Sequence, residues 1–174
     1  MGRLHLLLLR HADAESAAAP GRDRDRRLTG RGRRDAELMG SFLTAADRVP
    51  DAVLTSPAAR ARETAELAIE AGGWRCRLRE IPALYESSVE RALDVLRANG
   101  SDHPTLLVVG HEPTFSDLAA TLCGGGALRL PKAAVAHLVF DLEDWSRLEP
   151  GAGVLRALVT PAHAAALAAS RGSE

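Results

Sequence analysis

The chain has 174 residues, 46% of them hydrophobic, and a formal net charge of −1. That length and composition suit one domain spanning residues 1–174. Near-zero charge argues against nucleic acid or a membrane surface as partner, and 3% aromatic content argues against a stacking platform for single strands.

In chain order, Leu4 to Leu9 is an apolar run that reads as a buried parallel strand. The charged stretch Ala17 to Arg27 reads chiefly as a solvated loop, with a flap over a site as the lesser reading. Leu28 to Ala46 follows a helical period, with Leu38, Phe42 and Leu43 on its apolar side. Asp51 to Leu54 is a second buried strand, and Pro57 to Ala71 a second helix. Cys76 to Ile81 alternates and reads as a more exposed strand. Val89 to Ala98 is a third helix, on Val89, Ala92, Leu93 and Leu96. Thr105 to Val109 is a third buried strand, and Pro113 to Leu122 a fourth helix, on Phe115, Leu118, Ala119 and Leu122. Ala134 to Leu142 and Val154 to Val159 read as a hairpin or a pair of edge strands, and Pro161 to Ser170 as a short helix. This alternation predicts an α/β fold, a three-layer α/β/α sandwich around a mostly parallel sheet.

Cys76 and Cys123 are too few for a disulfide framework or a zinc cluster, which fits a reducing, cytoplasmic setting. The start of the chain has the outline of a signal peptide, but His5, Arg10, His11, Asp13 and Glu15 interrupt it. No apolar stretch approaches the roughly 20 residues that span a bilayer.

In open α/β sheets ligands bind beyond the carboxyl ends of the strands. The first strand ends in Arg10-His11-Ala12. The second ends in Thr55-Ser56-Pro57, where Ser56 suits an N-cap and Pro57 the first helical position. Arg60 then lies at the end of the first turn, from which a helical side chain can lean back toward the strand ends; position alone serves an exposed charge equally well. The third apolar strand ends in Gly110-His111-Glu112-Pro113, and Thr114 with Asp117 has capping-box spacing. The exposed strand leads to Leu84-Tyr85-Glu86, a carboxylate arriving at the same sheet edge.

Four strand ends thus deliver two His, two Arg and one Glu. Two guanidiniums neutralise a transferring phosphoryl group, a neutral His can attack phosphorus, and a carboxylic acid can protonate the leaving oxygen. This set requires no metal and no cofactor. Of 22 basic residues, 21 are Arg, with Lys132 the one lysine. Most read as surface charge, whereas Arg10 and Arg60 fall beside His11. A rival reading uses His11, Asp13, His111 and Glu112 as ligands of a metal-dependent hydrolase, although Arg10 and Arg60 would oppose a cation there. A second rival is a non-catalytic module that binds a phosphorylated ligand.

These elements resemble the histidine phosphatase superfamily, which includes the cofactor-dependent phosphoglycerate mutases. Arg10-His11 resembles its opening Arg-His-Gly motif. Ser56-Pro57 with Arg60, Ala61 and Thr64 is similar to Ser-Pro-x-x-Arg-Ala-x-x-Thr. Gly110-His111 resembles the second histidine motif, Leu84-Tyr85-Glu86 the acid motif, and Leu28-Thr29 with Gly32 the Leu-Thr-x-x-Gly helix start. Ala12 departs from the pattern, replacing the motif glycine. Arg-His-Ala, the short chain and Gly-His-Glu-Pro look most like the small SixA-type branch, named for a phosphohistidine phosphatase. The resemblance implies a phosphoglycerate mutase-like fold and an open site. It implies His11 as nucleophile, Arg10, Arg60 and His111 as phosphate ligands, and Glu86 as proton donor. The implied partner is a phosphorylated small molecule or a phosphohistidine-bearing protein.

Overall fold

Leu6 to Leu9 carry no polar side chain, and a strand of that kind is stable only with both faces covered. In the computed structural model, which describes residues 2–17, 22–100 and 103–171, both faces are. Strand β1 (Leu4–Arg10) turns Leu6 and Leu8 into one core and Leu7 and Leu9 into the other. Two further strands in the same sheet, β2 (Ala52–Thr55) and β4 (Thr105–Gly110), divide their side chains in the same way.

The sheet has six strands in the order β3-β2-β4-β1-β5-β6. The first four, including β3 (Arg77–Glu80), run parallel. β5 (Val135–Phe140) is antiparallel to β1, and β6 (Gly153–Val159) antiparallel to β5. The last two strands do form an antiparallel pair, as expected, but only β6 is an edge. β5 is fully buried between β1 and β6, because five of its six residues are apolar and need cover on both faces, with His137 the one polar side chain.

Helices α1 (Gly30–Ala45), α2 (Ala59–Gly72) and α5 (Pro161–Arg171) pack on one face. Helices α3 (Val89–Asn99) and α4 (Thr114–Leu122) pack on the other, giving the three-layer α/β/α sandwich. Right-handed crossovers explain the division. From β1 through β2 to β3 the chain moves outward to one edge, and from β3 to β4 it reverses, which puts the next helices on the opposite face. The adjacent strands β1 and β4 therefore send their connections to opposite faces, and a crevice opens between their carboxyl ends.

Three local expectations are corrected. The buried stripe of α1 is Gly32, Ala36, Met39, Gly40 and Leu43, while Leu38 and Phe42 are only half-buried. Small residues carry the stripe because α1 lies hard against α2; a Cβ on Gly40 would sit 2.2 Å from the Ala68 carbonyl oxygen. Helix α2 starts at Ala59 with Ala58 as its N-cap, and not at Ser56-Pro57. The Thr114 hydroxyl makes no cap; it donates to the Ser87 carbonyl at 2.7 Å, while the Glu112 carboxylate takes the Ser116 amide of α4.

Candidate active site

β1 continues one residue past its end, where the His11 amide donates to the Gly110 carbonyl at 2.9 Å. This sets His11 in the crevice beside β4. Its ring is buried, 8% exposed. Nδ1 lies 2.8 Å from the Ala12 carbonyl oxygen. A carbonyl can only accept, so the ring proton is on Nδ1 and the lone pair on Nε2. Burial first, then His111, Arg60 and Arg10, bring the His11 pKa down to about 3 against the opposing bond to Ala12. The ring is neutral at pH 7.

Arg60 is held by its own helix and by β1. The Ala12 amide donates to the Thr64 hydroxyl at 3.0 Å, and that hydroxyl donates to the Arg60 carbonyl at 2.7 Å. Arg60 does reach back to the strand ends: its Nε donates to His11 Nε2 at 3.3 Å, and a terminal nitrogen donates to His111 Nδ1 at 3.4 Å. His111 Nε2 therefore carries the proton and donates to Ser56 Oγ at 2.8 Å. Ser56, expected as a helix cap, orients a histidine, and its hydroxyl also accepts from the Ala58 amide. The two imidazoles lie 5.3 Å apart at 56°. Burial and Arg60 bring the His111 pKa to about 4, with Asp23 opposing.

Arg10 donates to the Leu130 carbonyl at 2.9 Å, while its buried Nε has no partner among the described residues. An unsatisfied buried guanidinium N–H beside two neutral imidazoles is a place for an oxyanion. Glu86 lines the same cleft as Arg60, Tyr85 and His111, a space of about 370 Å³. Its backbone is left-handed, φ 48°, a conformation that strains a residue with a Cβ. The strand ends thus place Arg60, His111 and Glu86 along one cleft, with His11 on Arg60, while Arg10 lines a neighbouring cleft with Glu112, Ser116 and Asp117. Ala12 is buried in the core under α2 and is absent from the positive-φ positions, so glycine is not needed there.

Asp13 and Glu112 turn elsewhere. Asp13 accepts from Lys132 and from the Thr29 hydroxyl, and its carboxyl is held below its ordinary range chiefly by the Lys132 bond. Glu112 is engaged with Ser116. Among the described residues no group of three or more His, Cys, Asp or Glu is arranged to hold a metal.

Sequence reasoning missed Asp23 and gave Tyr85 no role. The sequence presents the charge run chiefly as a solvated loop, with a flap over a site as the lesser reading; residues 18–21 of it lie outside the described residues, and Asp23–Asp25 forms a 3-10 turn at the site. Asp23 accepts from Arg60 through its carboxylate at 2.9 Å and through its carbonyl at 2.7 Å. The Tyr85 hydroxyl donates to the same carboxylate at 3.2 Å. No periodicity or spacing marks such a contact between a loop and a helix 37 residues away.

A model of the histidine phosphatase superfamily (branch 1) matches residues 6–91. The uncharacterised protein Rv1276c of Mycobacterium tuberculosis is 37% identical over 159 residues, 84% of this chain and 96% of that one. A protein from Nakamurella multipartita assigned as phosphohistidine phosphatase SixA superposes with a TM-score of 0.80 at 31% identity, covering 92% of this chain and 98% of that one. The protein histidine phosphatase SixA complexed with tungstate gives 0.77 at 27%, covering 91% and 98%. A phosphoglycerate mutase from Plasmodium falciparum, at 19% identity, covers 90% of this chain and 91% of its own with a TM-score of 0.64, which extends the likeness to the fold alone. The chain belongs to the histidine phosphatase superfamily. Within it the chain is SixA-like, and the family and its neighbours support phosphatase activity. No helix among the described residues is long and apolar enough to cross a membrane.

Proposed function

We propose that residues 1–174 form one histidine phosphatase domain, a metal-independent hydrolase that works through a phosphohistidine intermediate on His11. The observation that carries this reading is the state of His11. It is neutral, its proton is fixed on Nδ1 by Ala12, and its Nε2 lone pair faces the Arg60 guanidinium.

The phosphoryl group would bind with its non-bridging oxygens on Arg10, Arg60 and His111, displacing the Arg60 Nε contact from His11 Nε2 and drawing the His111 Nε2–H from Ser56 Oγ. The Nε2 lone pair then forms the P–N bond as the bond from phosphorus to the leaving group breaks. Positive charge grows on the ring and is stabilised by the Ala12 carbonyl on Nδ1–H. Protonated Glu86 gives its proton to the leaving group. As a carboxylate it then takes one from water, whose oxygen attacks phosphorus while the P–N bond breaks. Phosphate leaves, and both His11 and Glu86 return to their starting state.

For substrate we propose a protein-borne phosphohistidine or a small phosphoester. Likeness to SixA proteins supports the first, and the tungstate held by one of them supports a tetrahedral oxyanion site. Two free cysteines fit a cytoplasmic setting. The test is trapping. Quench in alkaline detergent after mixing with ³²P-labelled substrate should leave base-stable label, lost on later acid treatment, on the wild type and none on His11→Ala, which should also lose turnover. Normal turnover by His11→Ala would overturn the mechanism.

A further inference from the structure

Arg60 is almost fully occupied before any substrate arrives. Of its five N–H groups one goes to His11, one to His111 and two to Asp23. A guanidinium in that state cannot grip a phosphoryl group bidentately without releasing a partner. Binding at His11 frees the Arg60 Nε–H from that buried ring, but a paired grip takes a terminal N–H as well, and the terminal nitrogens go to half-buried His111 and to Asp23. Asp23 is different: its side chain is 48% exposed against 7% for Arg60, and the turn that carries it buries no residue. Asp23 is the partner that yields.

We infer that Asp23 makes an autoinhibitory contact: its carboxylate competes with incoming phosphoryl oxygens for Arg60. This rests on the phosphatase reading above. Asp23 is kept in place by more than Arg60. Its other carboxylate oxygen takes Arg26 at 3.0 Å, Arg26 is tied in turn to the Glu15 carbonyl, and Tyr85 donates from the opposite wall. Although burial works against it, the bonds from Arg26 and Arg60 hold the Asp23 carboxyl below its ordinary range, so the competitor is an anion at neutral pH. A free phosphate or a small monoester must displace this anion with its oxygens alone. Asp23 therefore weakens the grip of Arg60 on every phosphoryl ligand, the product included.

The experiment measures the dissociation constant of inorganic phosphate by calorimetry, at fixed pH and ionic strength, for wild type, Asp23→Asn and Asp23→Asn/Arg60→Ala. Asparagine keeps the shape and removes the charge. Asp23→Asn should bind phosphate about tenfold more tightly, as when a self-occupied state of roughly nine-tenths is released. The KM for an aryl phosphate should fall in parallel, and removal of Arg60 should abolish the gain. Asp23→Ser, run alongside with a thermal melt of every variant, guards against a folding defect. Unchanged or weaker phosphate binding by folded Asp23 variants would overturn the inference. If the wild type still turns over aryl phosphate, that result sinks this inference alone. Absence of both turnover and phosphate binding in the wild type would sink the phosphatase reading with it.

Discussion

A histidine that attacks phosphorus needs its lone pair on the nitrogen that faces substrate, at a pH where its rivals are protonated. Burial supplies the second condition at His11, and the Ala12 carbonyl supplies the first. Neither contact can be read from residue identity, since an exposed His in the same Arg-His-Ala string would lack both. Glu86 poses the sharper question at this scale, because leaving groups differ in their need for a proton. An alkoxide needs one as it departs; an imidazole from phosphohistidine needs less help. We expect Glu86→Gln to lower kcat/KM for an alkyl phosphate about 100-fold, within the usual range for loss of a general acid. The fall for a phosphohistidine peptide should stay under about threefold. Steady-state kinetics on both substrates decides it, and equal losses would contradict the leaving-group argument.

At the scale of elements, the site depends on how closely helices can approach the sheet and each other. Gly32 lets α1 start against the Asp13 backbone, since a Cβ there would lie 2.0 Å from the Asp13 carbonyl oxygen. Thr29 caps that helix by accepting the Gly32 amide and donates to Asp13, which fixes the chain just beyond His11. Further along, Gly40 meets the backbone of Ala68 in α2, the helix that carries Arg60. Gly→Ala inside a helix ordinarily gains about 1 kcal/mol from propensity. Here the clash is with backbone, which has no rotamer through which to escape. Gly40→Ala should therefore destabilise by about 2 kcal/mol net, read as a lower urea midpoint at unchanged m-value. A stabilised variant would mean that the helices part without loss.

Across the whole molecule, three buried imidazoles tie stability to pH. His11 and His111 are held near 3 and 4, chiefly by burial. His137 is brought to about 4 by burial and by His5, whose ring stacks on it at 5.3 Å with a 3.0 Å nitrogen contact. The unfolded chain protonates these groups near 6.5 and the folded chain does not, so stability is present above 6.5 and lost as pH falls toward 4 and then 3. Melting temperature should drop between pH 7 and about 4.5, above the range where most carboxylates titrate. His137→Gln should flatten that drop, and an equally steep profile in the variant would show that His137 does not contribute.

Much of the architecture was legible because it is written locally. Apolar runs such as Leu6 to Leu9 announce strands covered on both faces, and the strings of candidate site residues sit at their ends because short turns leave those residues no other place. The interior position of β5 was not legible, since an antiparallel pair reads alike at an edge or inside a sheet. Ser56 was recognised for the wrong contact: its hydroxyl satisfies both a nearby amide and a histidine 55 residues away, and only the near partner is visible in the string. Asp23 was hidden for the same reason, its charge indistinguishable from its solvated neighbours until the chain closes over Arg60. By itself the sequence determined the strand-helix alternation and the residues presented at the crevice, which follow from nearest-neighbour chemistry and periodicity, and pointed to the family through the resemblance of its motifs. The proton's place on His11, the partner of His111 and the anion seated on Arg60 were decided by tertiary structure, because burial and hydrogen bonding between distant segments exist only once the chain has folded.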